Sequence, residues 1–178
     1  MLFQIFFQGF FDIPVDNLVG SHLFIKYFTK MFGKGNEDVM VVSPDVGSTA
    51  RVRNFSLKLG VNMAIVDKRR EKANQSEVMN LIGNVEGKDV IIVDDMISSG
   101  GSMLDVAKEL KKRNAGRIFV IATFGLFTNG LEKFDQAYED GLIYRVVTTD
   151  LAYQPPELYD REYYIPCPMA KYIAYIID

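Results

Sequence analysis

A chain of 178 residues, 48% apolar and 24% charged, is long enough for one domain with a real hydrophobic core and too short for two ordinary ones. Its net charge of -3 gives no general attraction to nucleic acid or to an anionic membrane, so neither is expected as a partner. The single cysteine, Cys167, excludes a disulfide within the chain and favours a cytoplasmic location.

The first residues, MLFQIFFQGFF, are apolar but do not have the features of a targeting segment. No basic region precedes them, no small-residue cleavage site follows, and they are far shorter than the ~20 apolar residues of a membrane span. In water they would form an exposed apolar patch, so we expect them to pack against their own core, a partner subunit or a missing part of the protein. Self-association into a homo-oligomer through this segment is also expected.

The rest of the chain alternates short apolar runs with amphipathic stretches, which is typical of an α/β fold with a mostly parallel, twisted sheet flanked by helices. Apolar runs bounded by polar residues, Gly or Pro predict strands at residues 39–45, 61–70, 89–95, 117–127, 142–150 and 163–168. Periodicity predicts helices at residues 16–32 (with Asp16 as the N-cap), 48–59, 102–113, 131–138 and 169–177.

Two adjacent acids, Asp94 and Asp95, follow the buried strand VIIV and are predicted to stand where that strand leaves the sheet. In open α/β sheets, ligands bind at the carboxyl ends of the strands. The two carboxylates suit hydroxyl groups of a ligand, or a metal. The plain alternative is a tight strand-to-helix turn in which the acids are incidental caps.

Small residues follow the acid pair, and they favour a phosphate site. Gly100 and Gly101 let the backbone approach a ligand closely, and Ser98, Ser99 and Ser102 add hydroxyl donors. The helix that begins near Ser102 offers free N–H groups and the positive end of its dipole. A ligand with hydroxyls at one end and a phosphate at the other is a sugar phosphate.

A second loop lies between a predicted strand and a predicted helix and contains Asp45, Gly47 and Ser48. A small anion or a metal-bound diphosphate could bind there, at the N-terminus of the helix. A plain turn explains the same residues equally well.

A third loop, DKRR, covers Asp67 to Arg70. Three consecutive cations, including Lys68, either form a solvated surface or, beside an anionic ligand, neutralise charge on transferred phosphoryl oxygens. The polar segment that follows, EKANQSE, is expected to be a mobile loop that closes over a substrate.

These motifs carry a family resemblance. The acid pair with its small-residue tail is similar to the phosphoribosyl pyrophosphate motif of type I phosphoribosyltransferases. The segments FFDIPVDNL, VVSPDVG, DKRR and EVMNLIGNVEGKDVIIVDDMI, in this order, resemble the ribose-phosphate pyrophosphokinases, and the likeness runs from about residue 10 to Asp178. It implies a type I phosphoribosyltransferase-like domain at residues 16–178 that binds ribose 5-phosphate, with residues 1–15 linking it to an absent N-terminal half.

The family transfers the β,γ-diphosphoryl group of ATP to the 1-hydroxyl of ribose 5-phosphate, with Mg²⁺, and makes phosphoribosyl pyrophosphate for nucleotide biosynthesis. By this resemblance Asp94 and Asp95 hold the ribose hydroxyls, and the substrate's 5-phosphate is bound by Ser98, Ser99, Gly100, Gly101 and Ser102. The resemblance also implies that Lys68 and Arg70 stabilise the transferring phosphates. Asp45 would lie beside the diphosphate and its metal, in the loop with Gly47 and Ser48.

The sequence departs from the family at several positions. Members normally pair two similar halves, and this chain resembles the second, whereas the first supplies most ATP contacts. Phe3 replaces a histidine that helps bind the ATP-linked metal, and His22, the only histidine, does not align with it. Ser48 replaces a glycine and Phe124 replaces a histidine. We therefore expect this chain alone to bind the sugar phosphate but to have negligible synthetase activity.

Two other functions stay open. A nucleobase phosphoribosyltransferase uses the same sugar motif, but it needs a hood over the base, and no separate segment of this chain supplies one. A non-catalytic family member would instead bind full-length synthetase subunits and regulate them.

Overall fold

The computed structural model describes residues 12–14, 18–69 and 78–177 of the chain. Within these ranges the chain forms seven strands: β1 (Val39–Ser43), β2 (Asn62–Arg69), β3 (Val78–Ile82), β4 (Asp89–Ile97), β5 (Ile118–Gly125), β6 (Arg145–Thr149) and β7 (Tyr164–Cys167). The same ranges contain six helices: α1 (Ser21–Phe32), α2 (Thr49–Leu59), α3 (Gly101–Lys112), α4 (Glu132–Glu139), α5 (Pro156–Tyr159) and α6 (Ala170–Ile177). In the described part of the chain, no helix has the length and apolar character needed to cross a bilayer.

The described strands pair into one sheet in the order β3-β2-β1-β4-β5-β6-β7. Neighbouring strands are parallel except β2 and β3, which are antiparallel, so the predicted mostly parallel α/β sheet is confirmed. The chain adds β2 and β3 on one side of β1 and then crosses over to place β4 on its other side. The β1–β4 pair is therefore the point at which the strand order reverses, and open α/β sheets bind ligands at the carboxyl ends of such a pair.

Helices cover both faces of the sheet because its central strands are apolar on both faces. Alternate residues of a strand point to opposite faces, and the two clusters of buried side chains follow this alternation. On one face α1 and α2 pack against Val39, Val41, Ile91, Phe119 and Ile121. On the other face α3 and α4 pack against Met40, Val42, Val90, Ile92 and Val120.

The strand β3 and the one-turn helix α5 are present although the sequence patterns did not predict them. In β3, Asn80 interrupts the apolar run VMNLI and Gly83 ends it. β3 is the edge strand of the sheet formed by the described residues, and the side chain of Ile82 is 61% exposed, so this strand does not need the continuous apolar run of a central strand. β3 nevertheless pairs with β2 from Ile65↔Ile82 onwards, because an antiparallel edge strand needs less burial than a parallel one.

The first helix begins later than predicted. Asp16, the expected cap, lies outside the described residues, as does the apolar segment 1–11, but Leu18 and Val19 are described and are not helical. Gly20 occupies the cap position and makes no side-chain cap hydrogen bond. An added Cβ on Gly20 would lie 3.0 Å from Sδ of Met169, so a larger residue would require the flexible Met169 side chain, just before α6, to shift slightly.

Replacing Phe119 by alanine should destabilise the fold strongly. Its ring is fully buried and lies 5.5 Å from the ring of Phe28 and 5.3 Å from that of Tyr144, both centroid to centroid. Losing this packing should lower the free energy of unfolding by about 3–5 kcal/mol, measured by urea unfolding. The matched control is Leu57→Ala on α2, where the residue is 73% exposed and a change within about 0.5 kcal/mol is expected. Equal losses in the two variants would contradict the described core.

Candidate ligand-binding site

The candidate site forms where strand β4 extends beyond the end of its neighbour β1. β4 pairs with β1 only as far as Ile92, but it stays paired with β5 as far as Ile97. Asp94 and Asp95 therefore lie beyond the end of β1, where one side of β4 is open. The sequence predicted that both acids lie where the strand leaves the sheet. They lie within the strand instead, because β5 continues the pairing. The Asp94 side chain is 21% exposed and that of Asp95 is 59% exposed.

Arg51, in the first turn of α2, binds both acids. Its Nη2 lies 2.9 Å from Oδ2 of Asp95, and its Nη1 lies 3.4 Å from Oδ1 of Asp94. The same oxygen of Asp94 also accepts a hydrogen bond from the backbone N–H of Asp95, at 2.8 Å. Sequence reasoning missed Arg51. One signal was available, since a cation in the first turn opposes the helix dipole and needs a compensating anion.

The two acids have different pKa values because their surroundings differ. Burial, together with the neighbouring carboxylates of Asp95 and Asp45, raises the pKa of Asp94 to about 6, although the backbone hydrogen bond from Asp95 acts to lower it. Burial also acts to raise the pKa of Asp95, but the interaction with Asp94 and the charge of Arg51 outweigh it, so that pKa is lowered. The pair thus has one readily ionised acid and one that titrates close to neutral pH.

The loop after β4 leads into the N-terminus of α3. Gly100 caps this helix with a φ of 77°, and an added Cβ would lie 2.3 Å from the ring of Phe134, so glycine is required there. Leu104 N–H donates to the carbonyl of Gly100 at 3.0 Å. The N–H groups of residues 101–103 precede this first helical bond and have no acceptor within the helix. They are available to an anion, as the sequence predicted.

Two further contacts fix this loop. The backbone N–H of Thr128 donates to the carbonyl of Ser98 at 3.1 Å, which ties the loop to the segment after β5. Lys68, from β2, donates from Nζ to Oγ of Ser102 at 2.5 Å. Ser99 is partly buried beside them. The structure therefore places the predicted cation Lys68 directly at the predicted phosphate loop.

The structure describes only part of the rest of the basic loop DKRR. Arg70 and the expected mobile segment 71–77 lie outside the described residues, and Asp67 is half-buried in β2. The predicted role of Lys68 and Arg70 in stabilising the transferring phosphates therefore stays a prediction.

The loop between β1 and α2 is a closed turn. Oδ1 of Asp45 accepts the backbone N–H of Ser48 at 2.7 Å, and Oγ of Ser43 donates to the carbonyl of Asp45 at 2.7 Å. An added Cβ on Gly47 would lie 3.3 Å from Oδ1 of Asp45. Ser48 replaces a glycine without opening this turn, because only its backbone is used. The turn accounts for one oxygen of Asp45 and leaves the other available.

Asp45 by itself is a weak metal site. Among the described residues, no three side chains of His, Cys, Asp or Glu are grouped closely enough to hold an ion. Mg²⁺ is commonly bound by one or two carboxylates, with substrate phosphates and water filling the remaining positions. A carboxylate oxygen without a hydrogen bond from the described residues, near two candidate anion-binding loops, fits that mode and does not fit a metal held by protein alone.

The positions that depart from the family pattern are also visible in part. Phe124, where the resemblance expects a histidine, is 37% exposed on β5 and in register with Met96, which is 44% exposed. His22 lies on α1 with its ring 4.5 Å from that of Tyr172, and its buried Nε2 has no hydrogen-bond partner in the described part of the chain. Phe3 lies outside the described residues.

A separate cavity of about 430 Å³ lies between α4 and α5 and has Asp135 and Arg161 in its wall. Asp135 accepts hydrogen bonds from Nε of Arg161 and from the hydroxyl of Tyr163, both at 2.8 Å. None of the predicted site residues lines this cavity in the described part of the chain. The acids, the cations and the free helix N-terminus meet instead at the carboxyl edge of the sheet, so we place the site there.

Comparisons with known proteins agree with this fold. Residues 16–161 match the model of the phosphoribosyl transferase domain family. The chain is 46% identical over 144 residues to the ribose-phosphate pyrophosphokinase of Vibrio vulnificus, covering 80% of this chain and 44% of that protein. It matches the crystal structure of phosphoribosylpyrophosphate synthetase from Mycobacterium smegmatis with a TM-score of 0.80 and 27% identity, over 96% of this chain and 53% of that one.

A more distant match is the adenine phosphoribosyltransferase of Saccharomyces cerevisiae, with a TM-score of 0.50 and 23% identity over 64% of this chain and 72% of that one, and this likeness shows the fold alone. The chain spans only about half the length of the synthetases it matches. On these findings, the chain belongs to the phosphoribosyl transferase domain family and, over most of its length, is similar to a part of the ribose-phosphate pyrophosphokinases that is a little under half of their length.

Proposed function

We propose that this chain is the ribose-5-phosphate-binding domain of a ribose-phosphate diphosphokinase. The complete enzyme would transfer the diphosphoryl group of ATP to ribose 5-phosphate and produce phosphoribosyl pyrophosphate. The observation that carries the proposal is the joining of the acid pair of β4 to the free N-terminus of α3 by one short loop. This loop can hold both ends of a sugar phosphate at once.

The protein's contribution to sugar binding follows from charge and hydrogen bonding. Ionised Asp94 and Asp95 accept hydrogen bonds and suit the hydroxyls of a ribose, whereas they repel a phosphate. The N–H groups of residues 101–103 and the positive end of the α3 dipole suit the 5-phosphate. Lys68, already in contact with Ser102, adds a full positive charge at that end.

The transfer step needs positioning and charge neutralisation more than proton chemistry. The 1-hydroxyl oxygen of the ribose would form a bond to the β-phosphorus of ATP as the bond from that phosphorus to the leaving AMP breaks, and the hydroxyl proton is released to solvent. Arg70 is proposed to neutralise charge on the moving group. The resemblance gives Lys68 the same role, but its contact with Ser102 lies at the 5-phosphate end, so Lys68 would have to leave Ser102 to share that role. Mg²⁺, when bound at Asp45 and the phosphate oxygens, would supply further neutralisation.

Ribose 5-phosphate should bind the isolated chain and should lose affinity when a hydroxyl is removed. A hydrogen bond to a charged group contributes about 1.5–3 kcal/mol, so 2-deoxyribose 5-phosphate should bind about tenfold more weakly or worse in titration calorimetry. In an Asp94→Asn, Asp95→Asn double variant the two sugars should bind almost equally. Inorganic phosphate is the control ligand, and its affinity should change little. No detectable binding of ribose 5-phosphate at millimolar concentration would contradict the proposal.

Raising the pH through about 6 should strengthen sugar binding while it weakens the fold. The pKa of Asp94 is raised to about 6 in the folded chain, so the carboxylate that accepts the hydroxyl forms only above that pH. Since the folded chain binds this proton more tightly than the unfolded chain, stability is lost as the pH rises from about 4 to about 6. After allowance for solvent screening, Asp94→Asn should raise Tm at pH 7 by about 2–4 °C and raise it less at pH 4.

The sugar's own phosphate also titrates near pH 6, so Asp94→Asn is the control for the binding measurement. Its affinity should rise with pH less steeply than that of the wild-type chain. If the two pH profiles coincide, ionisation of Asp94 has no part in binding.

The isolated chain should have negligible synthetase activity at saturating Mg·ATP and ribose 5-phosphate. Losing even a few contacts to ATP costs several kcal/mol, which means several tenfold steps in affinity. An assay of the purified chain for phosphoribosyl pyrophosphate, with and without a full-length relative, measures this. Turnover near one per second by the chain alone would contradict the expectation. If the chain changes only the rate of the full-length relative, a regulatory subunit is the better description.

A further inference from the structure

Arg51 makes both of its described ion pairs to the acid pair, and it uses only half of the oxygens available there. It contacts Oδ1 of Asp94 and Oδ2 of Asp95. Besides Arg51, the backbone N–H of Asp95 donates to Oδ1 of Asp94, and protonated Asp94 hydrogen-bonds to the side chain of Asp95, a contact that is lost when both acids are ionised. The guanidinium therefore leaves one acceptor oxygen on each carboxylate for a ligand.

The charges around the acid pair explain why a cation is needed there. The pair is two adjacent carboxylates, and Asp45 brings a third negative charge from the neighbouring loop. Lys68 makes no ion pair with the acids in the described part of the chain, and its ammonium group donates to Ser102. In the described part of the chain, Arg51 is the cation in direct contact with the pair. A planar guanidinium also restrains the carboxylates it binds more than a lysine ammonium does.

The geometry points to Arg51 as a positioning residue for ribose recognition: it holds Asp94 and Asp95 with one free oxygen each, ready for two hydroxyls of the sugar. This inference rests on the proposed function, since it assigns how the acid pair is prepared for ribose 5-phosphate. Arg51 acts through the acids and not on the ligand. Two other roles predict different results. If Arg51 competed with the sugar for the two acids, removing it would strengthen sugar binding. If Arg51 bound the phosphate of the ligand directly, removing it would weaken the binding of inorganic phosphate as well.

The test is titration calorimetry of ribose 5-phosphate with the full chain and three variants. Arg51→Met should lower the affinity about tenfold, and Arg51→Lys should recover part of that loss. The matched control is Arg53→Met, because Arg53 is an exposed cation on the same helix without an ion pair to the acids among the described residues. The affinity of Arg53→Met for ribose 5-phosphate should stay within about twofold of that of the wild type. This control measures the effect of losing one positive charge on the same helix.

Two readouts separate positioning from other roles. In an Asp95→Asn background, where the shorter of the two Arg51 contacts is already changed, Arg51→Met should reduce affinity less than threefold. Inorganic phosphate should bind Arg51→Met as well as it binds Arg53→Met. The melting temperature of each variant shows whether it is folded. If Arg51→Met is unfolded, a second double-mutant cycle uses Arg51→Lys alone and in combination with Asp95→Asn.

Equal or tighter binding of ribose 5-phosphate by Arg51→Met would overturn the inference, and so would an undiminished loss in the Asp95→Asn background. A matching loss of inorganic phosphate binding would also overturn it, because Arg51 would then contact the anion. Failure of the wild-type chain to bind ribose 5-phosphate would overturn the proposed function together with the inference. Equal binding by the wild type and Arg51→Met would overturn the inference alone.

Discussion

The site depends on one difference in length: β4 continues past the end of β1 while β5 still supports it. The preceding residues Ile91 and Ile92 are fully buried, which fixes the strand in the middle of the sheet. The residues that follow must then emerge at the carboxyl edge, on the side that β1 no longer covers. Apolar burial along one strand thus sets where the two carboxylates stand, and the glycine-capped turn sets where the helix N-terminus stands relative to them.

Two cationic side chains from neighbouring elements contact β4 and the loop that follows it. Arg51 reaches the acids from α2, and Lys68 reaches Ser102 from β2. Arginine balances the negative part of the site, and lysine adds positive charge beside the N-terminus of α3. Under the proposed function, the hydroxyl end of the sugar phosphate would therefore meet acceptor oxygens and its phosphate end would meet positive charge. Burial raises the pKa of Asp94, so keeping this one carboxyl ionised opposes folding. A carboxyl kept in an unfavourable environment is typical of a functional site.

Much of this could be predicted from the sequence, because the features are local. The run VIIVDD gives a buried strand and its acids, and the two glycines with serines give the turn and the helix start. The contacts of Arg51 could not be predicted, because the residues are 43 and 44 positions apart and depend on how far β4 outruns β1. The same holds for Lys68 and Ser102, 34 positions apart. β3 was missed because an edge strand needs no continuous apolar run.

The central claim is that the acid pair and the α3 N-terminus bind the two ends of one ribose 5-phosphate. A crystal structure of the chain with this ligand tests it most directly. The account predicts the phosphate at the N–H groups of residues 101–103, with ribose hydroxyls about 2.5–3.0 Å from oxygens of Asp94 and Asp95. A phosphate bound in the loop of Asp45 instead, or a ribose whose hydroxyls face away from both acids, would contradict it.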